Sequence, residues 1–95
     1  MKSTPKLKLS RRLTIANELG LHARAAVKIA RLAEKASSDV FISKDGEDVN
    51  GTDVLGIMGL YCPCGTQVIV RITDPADAKV LDSIAQLIEA GFGES

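Results

Sequence analysis

The pattern of hydrophobic and polar positions along the chain predicts four strands and three helices. Short alternating or apolar runs indicate strands at 12–16, 39–43, 47–50 and 67–72. Apolar residues recur at helical spacing along 23–35 and again along 74–91. A shorter helix is expected up to about residue 60, because Thr52 or Asp53 can cap its first turn.

The two longer helices each carry an apolar stripe that should face a common core. In the first helix we expect the buried positions to be Ala26, Ile29, Ala30, Ala33 and Ala36. In the last helix the corresponding positions are Val80, Leu81, Ile84, Leu87 and Ile88. Small alanine side chains in the first stripe allow a sheet to approach that helix closely.

The order of the elements, βαββαβα, predicts an α+β fold. Asp45 and Gly46 lie between the second and third strands, where a tight hairpin turn needs residues that accept positive φ. A short hairpin joins antiparallel strands, and amphipathic helices need a sheet face to cover. The sequence therefore predicts an open-faced β-sandwich with a four-stranded, mainly antiparallel sheet and three helices on one face.

Composition narrows the class of protein without naming a function. Ninety-five residues suit one small domain, and 12 basic residues balance 12 acidic ones. Such a balance does not favour a nucleic-acid partner. Residues 1–10 are expected to form a flexible basic extension, and 11–95 the folded domain. A solvated tail is favoured over a docking site for an acidic partner. With no secretory signal and no membrane-length apolar run, we expect a cytoplasmic protein that does not engage a membrane.

The candidate chemistry is concentrated where the first strand gives way to the first helix, in residues 20–26 (GLHARAA). His22 is the one histidine of the sequence. The first N–H groups of a helix have no intrahelical partner and favour an anion. His22 is therefore a candidate nucleophile beside an anion site, and the N–H groups of Ala23 and Arg24 with the Arg24 guanidinium are candidate phosphate ligands. An isolated histidine is more often a surface or capping residue without chemistry.

Three segments together resemble a known family. Residues 20–24 resemble the active-site signature of HPr, the histidine-containing phosphocarrier of the bacterial phosphoenolpyruvate:sugar phosphotransferase system. Residues 49–58 resemble its second signature, around a regulatory serine, and 91–94 resemble its usual C-terminal end. The resemblance extends over 12–94 and reverses the expectation that His22 is inert.

The resemblance implies both a strand order and a function. The strand order would be 1-4-2-3. His22 would accept a phosphoryl group through Nδ1 from the phosphohistidine of enzyme I and pass it to sugar-specific IIA domains. The protein would be a phosphocarrier rather than a stand-alone enzyme, would need no cofactor and no metal, and would work as a monomer that visits several partners.

A docking surface for those partners is also implied. Its candidate residues are Val27, Lys28, Arg31, Val54, Leu55 and Met58. Leu55 and Met58 are expected to be exposed near His22, because a short surface helix cannot bury every face. The interpretation that the apolar residues of 54–58 all belong to the core is equally open.

Two positions depart from the family pattern. Ala25 follows Arg24 where the family usually has proline, but alanine favours helix, so the helix should still form. Asp53 stands where many members carry a serine that a regulatory kinase phosphorylates. As a structural residue Asp53 can cap the second helix. As a functional residue it would remove the kinase target and imitate phosphoserine only in part, since a carboxylate carries less charge than a phosphate.

Three other interpretations stay open. The chain could be a regulatory paralogue that signals by its phosphorylation state, or an interaction module that has lost phosphotransfer. Cys62 and Cys64 suggest a metal or redox site, but one intervening residue is not the spacing typical of zinc or thioredoxin-like motifs. Thiols without such chemistry are the favoured interpretation.

Overall fold

Strands and helices alternate along residues 9–94, which is the part of the chain that the computed structural model describes. In chain order the elements are β1 (Ser10–Thr14), α1 (Ala23–Ala33), β2 (Val40–Lys44), β3 (Glu47–Asn50), α2 (Val54–Gly59), β4 (Gln67–Ile72) and α3 (Ala78–Glu89). Short 3₁₀ turns at Pro75–Asp77 and Gly91–Gly93 precede and follow α3. The predicted succession of elements is confirmed.

The four strands form one antiparallel sheet in the order β1-β4-β2-β3. Asp45 and Gly46 join β2 to β3 with φ of 51° and 84°. Two consecutive positive φ values are what a two-residue hairpin turn requires. The helices pack on one face of the sheet, so the α+β open-faced sandwich and its 1-4-2-3 strand order are both confirmed.

The core lies between the sheet and the helices. Alternate strand residues point into it, and all of the following are buried: Leu13, Val40, Ile42, Val68, Val70 and Ile72. The buried residues of α1 are Ala25, Ala26, Ile29, Ala30 and Ala33. Those of α3 are Leu81, Ile84, Ala85 and Ile88. Both predicted stripes are confirmed, with Ala36, Val80 and Leu87 partly buried at their edges.

Strand β1 begins two residues earlier than predicted and ends two residues earlier. Ser10 pairs with Arg71, and the Leu9 carbonyl accepts a hydrogen bond of 2.8 Å from the Ile72 N–H. Beyond Thr14 the ladder stops, because Ile15 bonds instead to the backbone of the loop before β4. Ser10 therefore belongs to the sheet and not to the predicted flexible extension, the rest of which, except Leu9, lies outside the described residues.

Two helix ends also differ from the sequence prediction. Helix α1 ends at Ala33 rather than Lys35. The backbone N–H groups of Lys35 and Ala36 donate to carbonyls three residues back, which is the 3₁₀ pattern, and not four back as in an α-helix. Helix α3 begins at Ala78, since the stretch that follows the Asp74 cap forms a 3₁₀ turn first. None of the helices within 9–94 is long and apolar enough to cross a lipid bilayer.

A buried carboxylate joins the start of α3 to the loop after α1. Asp77 is buried, and it accepts hydrogen bonds from the Ser37 N–H (2.8 Å), the Ser37 hydroxyl (3.0 Å) and the Ser38 N–H (3.1 Å). The hydrogen bond from the Ser37 N–H is the main cause that lowers the pKa of Asp77, and the other two act in the same direction. The carboxylate therefore satisfies three donors of the loop that joins α1 to β2.

Asp77→Asn should lower the melting temperature by several degrees at neutral pH, because an amide offers one acceptor oxygen where the carboxylate offers two. The lowered pKa means that the stabilising effect of Asp77 is present above the ordinary pKa of an aspartate. It is lost as pH falls through the lowered value. Thermal unfolding at several pH values tests this, with the exposed Asp39→Asn as control. Equal melting temperatures for Asp77→Asn and Asp39→Asn at neutral pH would contradict it.

Candidate functional site

His22 is the N-cap residue of α1, with an extended backbone conformation (φ −76°, ψ 177°). The turn before it is held against the loop that follows α2: the Leu21 N–H donates to the Cys62 carbonyl at 2.9 Å. The His22 N–H bonds to the Gly20 carbonyl at 2.9 Å. The backbone on the N-terminal side of the imidazole is thus fixed by both a local and a long-range hydrogen bond.

Gly20 permits this turn in two ways. Its φ of 67° lies in the left-handed region, which favours glycine. A Cβ added at Gly20 would lie 2.4 Å from the Cys62 carbonyl oxygen, closer than two such atoms can approach. The glycine therefore allows the close approach of two loops on which the position of His22 depends.

The two ring nitrogens of His22 have different partners. Nε2 forms a short contact with Oε2 of Glu94, and Nδ1 lies 3.2 Å from the Arg24 backbone N–H, which donates to it. A neutral ring that satisfies both partners carries its proton on Nε2 and its lone pair on Nδ1. The side chain keeps 24% of its surface exposed, so the ring is accessible from solvent.

Glu94 is held in its charged form by its neighbours. The Asn17 side-chain N–H donates to its Oε1 at 3.0 Å, and His22 contacts its Oε2. The hydrogen bonds from Asn17 and then His22 lower the pKa of Glu94. Asn17 is itself buried, and it also donates to the Gly20 carbonyl at 2.8 Å. One amide therefore connects the turn before His22 to the carboxylate that contacts the ring.

Arg24 is exposed at the edge of an open cleft of about 530 Å³. Glu94, Asn17 and Cys64 line the same cleft. The guanidinium makes no ion pair with any residue of the described range 9–94. Its position lets it reach an anion bound at the start of α1, where Ala23 is also exposed.

The predicted docking residues fall into different environments. Leu55 is 80% exposed and Met58 39% exposed, as predicted, and Arg31 is exposed on α1. Val54 is half-buried against the core, and Val27 is half-buried on α1. The interpretation that all the apolar residues of 54–58 belong to the core is wrong, because only Ile57 is fully buried there.

Lys28, the remaining predicted docking residue, has a partner within the chain. Its ammonium donates to the Phe92 carbonyl at 2.8 Å, so it contacts the segment that carries Glu94.

The structure also brings to the site residues that the sequence analysis did not single out. Met58 and His22 line a shallow cleft together with Leu19 and Tyr61, which are 72% and 73% exposed. Leu19 and Tyr61 are apolar residues that lie between predicted strands and helices, and this was the available signal for them. Asn17 carried no such signal, and the resemblance of 91–94 to the family's C-terminal end gave no role to Glu94, because both contacts depend on the fold.

The remaining sequence candidates have structural explanations. Asp53 is the N-cap of α2, and its carboxylate accepts from the Gly56 N–H at 3.0 Å, which confirms the predicted cap. Ala25 is buried in the first turn of α1, and the helix forms without proline. Cys62 is buried, and burial raises its pKa, whereas Cys64 is exposed. Within 9–94, no group of three or more metal-ligating side chains clusters closely enough to hold a metal ion.

Comparison with known proteins identifies related sequences over nearly the whole chain. The family model described as the PTS HPr component phosphorylation site matches residues 9–90. The phosphocarrier protein HPr of Cupriavidus necator is 37% identical over 86 residues, which cover 90% of this chain and 97% of that protein. The phosphocarrier protein NPr of Shewanella violacea is 39% identical over 89 residues, which cover 93% and 97%.

Solved structures agree with the sequence relatives. The HPr-C-His protein of Thermoanaerobacter tengcongensis has a TM-score of 0.82 at 34% identity, covering 90% of this chain and 97% of that one. An HPr dimer from the same organism has a TM-score of 0.68 at 32% identity and covers 99% of both chains.

Gly20→Ala should destabilise the fold more than Gly46→Ala. Both residues have positive φ, so each substitution costs about 1–2 kcal/mol of left-handed strain. Only Gly20 also faces a carbonyl at 2.4 Å, whereas a Cβ at Gly46 meets nothing within 4 Å. Overlap of this kind adds about 1–3 kcal/mol. Urea unfolding of the two variants measures the difference, and equal losses would contradict the close approach of the two loops.

Proposed function

Because the chain belongs to the HPr family of the phosphotransferase system, we propose that it carries a phosphoryl group on His22, received from enzyme I and delivered to IIA domains. The observation that supports His22 as the carrier is its pair of ring contacts. The Glu94 carboxylate contacts Nε2, the nitrogen that carries the proton, and the lone pair of Nδ1 lies at the N-terminus of α1. The family implies a cytoplasmic site of action.

The first transfer is a displacement at phosphorus. The Nδ1 lone pair attacks the phosphorus of the donor's phosphohistidine, a new N–P bond forms, and the donor's N–P bond breaks with its electron pair returning to the donor imidazole. Positive charge spreads over the His22 ring during this step. The Glu94 carboxylate stabilises that charge through Nε2–H, which keeps its proton throughout.

The Arg24 N–H then exchanges one acceptor for another. Before transfer it donates to Nδ1 at 3.2 Å. Once the Nδ1 lone pair is used in the N–P bond, that N–H has the phosphoryl oxygens as its nearest acceptors, beside the N-terminus of α1. The Arg24 guanidinium provides the mobile positive charge, and the Ala23 N–H lies in the same first turn.

Delivery reverses the same chemistry. A nucleophile of the IIA domain attacks phosphorus, and the His22 imidazole leaves with the electron pair of the N–P bond. Phosphoryl transfer depends mainly on positioning and charge stabilisation, so each protein needs to supply only half of the site. This division fits a carrier between two partners rather than a stand-alone enzyme.

The proposed docking surface combines the exposed apolar residues of the cleft at His22 with the exposed Leu55 on α2. We define it by Leu19, Leu55, Met58 and Tyr61, with Arg31 on its charged rim. Val27 on α1 and Val54 on α2, two of the predicted docking residues, are only partly exposed. An apolar centre with a charged rim suits a transient complex, because it allows steering without a large interface.

A monomer is sufficient for this function. His22, Arg24, Asn17 and Glu94 all come from one chain, so the site is complete without a second copy. The relative solved as a dimer makes the oligomeric state worth measuring, but the proposed chemistry does not depend on it.

Asp53 removes one form of control from this carrier. Its carboxylate caps α2 permanently, whereas a serine hydroxyl at the same place can also accept a phosphoryl group. The position therefore keeps one negative charge at all times, and we propose that serine-kinase regulation does not act here.

Replacing the acceptor should abolish labelling. Incubation with phosphoenolpyruvate and enzyme I should add one acid-labile phosphoryl group to the wild-type protein and none to His22→Ala, because no other side chain of the chain is an imidazole. Intact-mass measurement and site mapping check both results. Labelling that persists in His22→Ala would refute the assignment.

Reducing the apolar docking surface should weaken recognition of enzyme I while leaving the chemistry intact. Leu55→Thr should raise KM for phosphorylated enzyme I about fivefold or more with little change in kcat, since truncation of an apolar anchor loses about 1 kcal/mol or more of binding. Ile69→Thr removes similar apolar bulk from the open face of the sheet, where the exposed fraction is 36%, and serves as the control. Equal KM values for the two variants would contradict the proposed surface.

A further inference from the structure

The segment after α3, which we call the C-terminal strap (Gly91–Glu94), turns back toward the start of α1. Gly91, Phe92 and Gly93 have successive φ values of 64°, 60° and 75°. Left-handed backbone is uncommon for a residue other than glycine and costs free energy at Phe92. The Phe92 ring is fully buried in the core and secures that residue. The strap is therefore anchored in the core two residues before Glu94, and the Glu94 N–H bonds back to the Gly91 carbonyl at 3.0 Å.

A buried ring fixes where Phe92 lies, but it leaves open how the next peptide plane is turned. Gly93 has no side chain, and its N–H makes only a long bond of 3.3 Å to the Ala90 carbonyl. Rotation of the Phe92–Gly93 peptide would redirect the chain toward Glu94. A contact that holds this peptide plane would therefore act together with the Glu94 N–H bond and with Asn17 to set where the Glu94 carboxylate points.

Lys28 makes that contact. Its ammonium, on α1, donates to the Phe92 carbonyl at 2.8 Å. Hydrogen bonds with a charged donor are shorter and stronger than neutral ones. Lys28 thus ties the strap to the helix whose N-cap is His22. The same helix then holds both partners of the contact between His22 and Glu94.

We propose that Lys28 is a positioning residue for the phosphoryl-accepting nitrogen. By fixing the Phe92–Gly93 peptide it places the Glu94 carboxylate on Nε2–H of His22, and this selects the ring form whose lone pair is on Nδ1. Asn17 holds the same carboxylate from the other side, so loss of Lys28 loosens the contact without abolishing it. The role rests on the proposed function, and it is distinct from the docking role that the resemblance implied for Lys28.

The direct test reads the ring itself, without any transfer. In protein labelled with ¹⁵N, the chemical shifts of the two His22 ring nitrogens report which one carries the proton. At mildly alkaline pH the wild-type protein should show the Nε2–H form almost exclusively, whereas an unconstrained imidazole favours that form but keeps a minor Nδ1–H population. Lys28→Met should move both shifts toward those of an unconstrained imidazole, and Lys28→Arg, which keeps a charged donor, should restore them. Lys35→Met, an exposed lysine just beyond α1, is the matched control.

Kinetics separate positioning from docking. With phosphorylated enzyme I, Lys28→Met should lower kcat about tenfold with KM unchanged, because small misplacement of a catalytic group is costly. For Lys28→Arg and Lys35→Met, kcat and KM should stay within about twofold of the wild-type values, because the first variant keeps a charged donor and the second leaves Lys28 in place. Unchanged ring shifts in Lys28→Met, or an increase in KM alone, would overturn the proposal.

Two further measurements keep the test decisive. Thermal unfolding establishes that Lys28→Met is folded, and Lys28→Gln, with a shorter neutral donor, should give ring shifts between those of Met and Arg. Ring shifts of Lys28→Gln that match wild type would count against the need for a charged donor. Because the ring shifts are recorded on unphosphorylated protein, absence of His22 phosphorylation in the wild type would contradict the proposed function and leave the result for Lys28 standing.

Discussion

The contact between His22 and Glu94 joins residues that are 72 positions apart, and the arrangement of the site depends on it. A histidine at a helix N-terminus has two nitrogens, and its chemistry depends on which one keeps the proton. The Glu94 carboxylate accepts from Nε2, and the Arg24 N–H donates to Nδ1. These two contacts give the ring one orientation and one tautomer before any partner arrives. Such preorganisation is what phosphoryl transfer chiefly requires of a protein.

The fold supplies the two ends of that contact separately. Helix α1 presents His22, and its buried alanines let it lie close to the sheet. Helix α3 and the buried Phe92 ring bring Glu94 back to the same place. Hydrogen bonds with the Cys62 carbonyl and the Asn17 amide fix the turn before His22. Three elements that are distant in sequence thus meet at one imidazole, and for this reason a short motif alone cannot form the site.

Local patterns in the sequence were enough to predict most of the fold. Period and capping residues indicated α1, α2 and β4 because those signals act within a few residues. The start of β1 was set by its pairing with β4, a contact that the local pattern does not contain. The same limit applies to the site. His22 and Arg24 stood out because of the helix start beside them, whereas Asn17, Glu94 and the strap contact of Lys28 depend on tertiary packing.

The charges around the His22 ring favour a carrier that can release its phosphoryl group again. In the proposed phosphorylated state the Glu94 carboxylate stays on the Nε2 side of the ring, and the positive groups on the Nδ1 side are the Arg24 guanidinium and the N-terminus of α1. Lys28 is already engaged by the Phe92 carbonyl. Tighter binding of the phosphorylated state would slow delivery, because interactions that stabilise a bound state without stabilising the transition state do not accelerate the next step. The chain thus supplies half of the transfer site, with the Arg24 guanidinium as its mobile cation, and each partner supplies the other half. This arrangement allows the phosphoryl group to be both accepted and released.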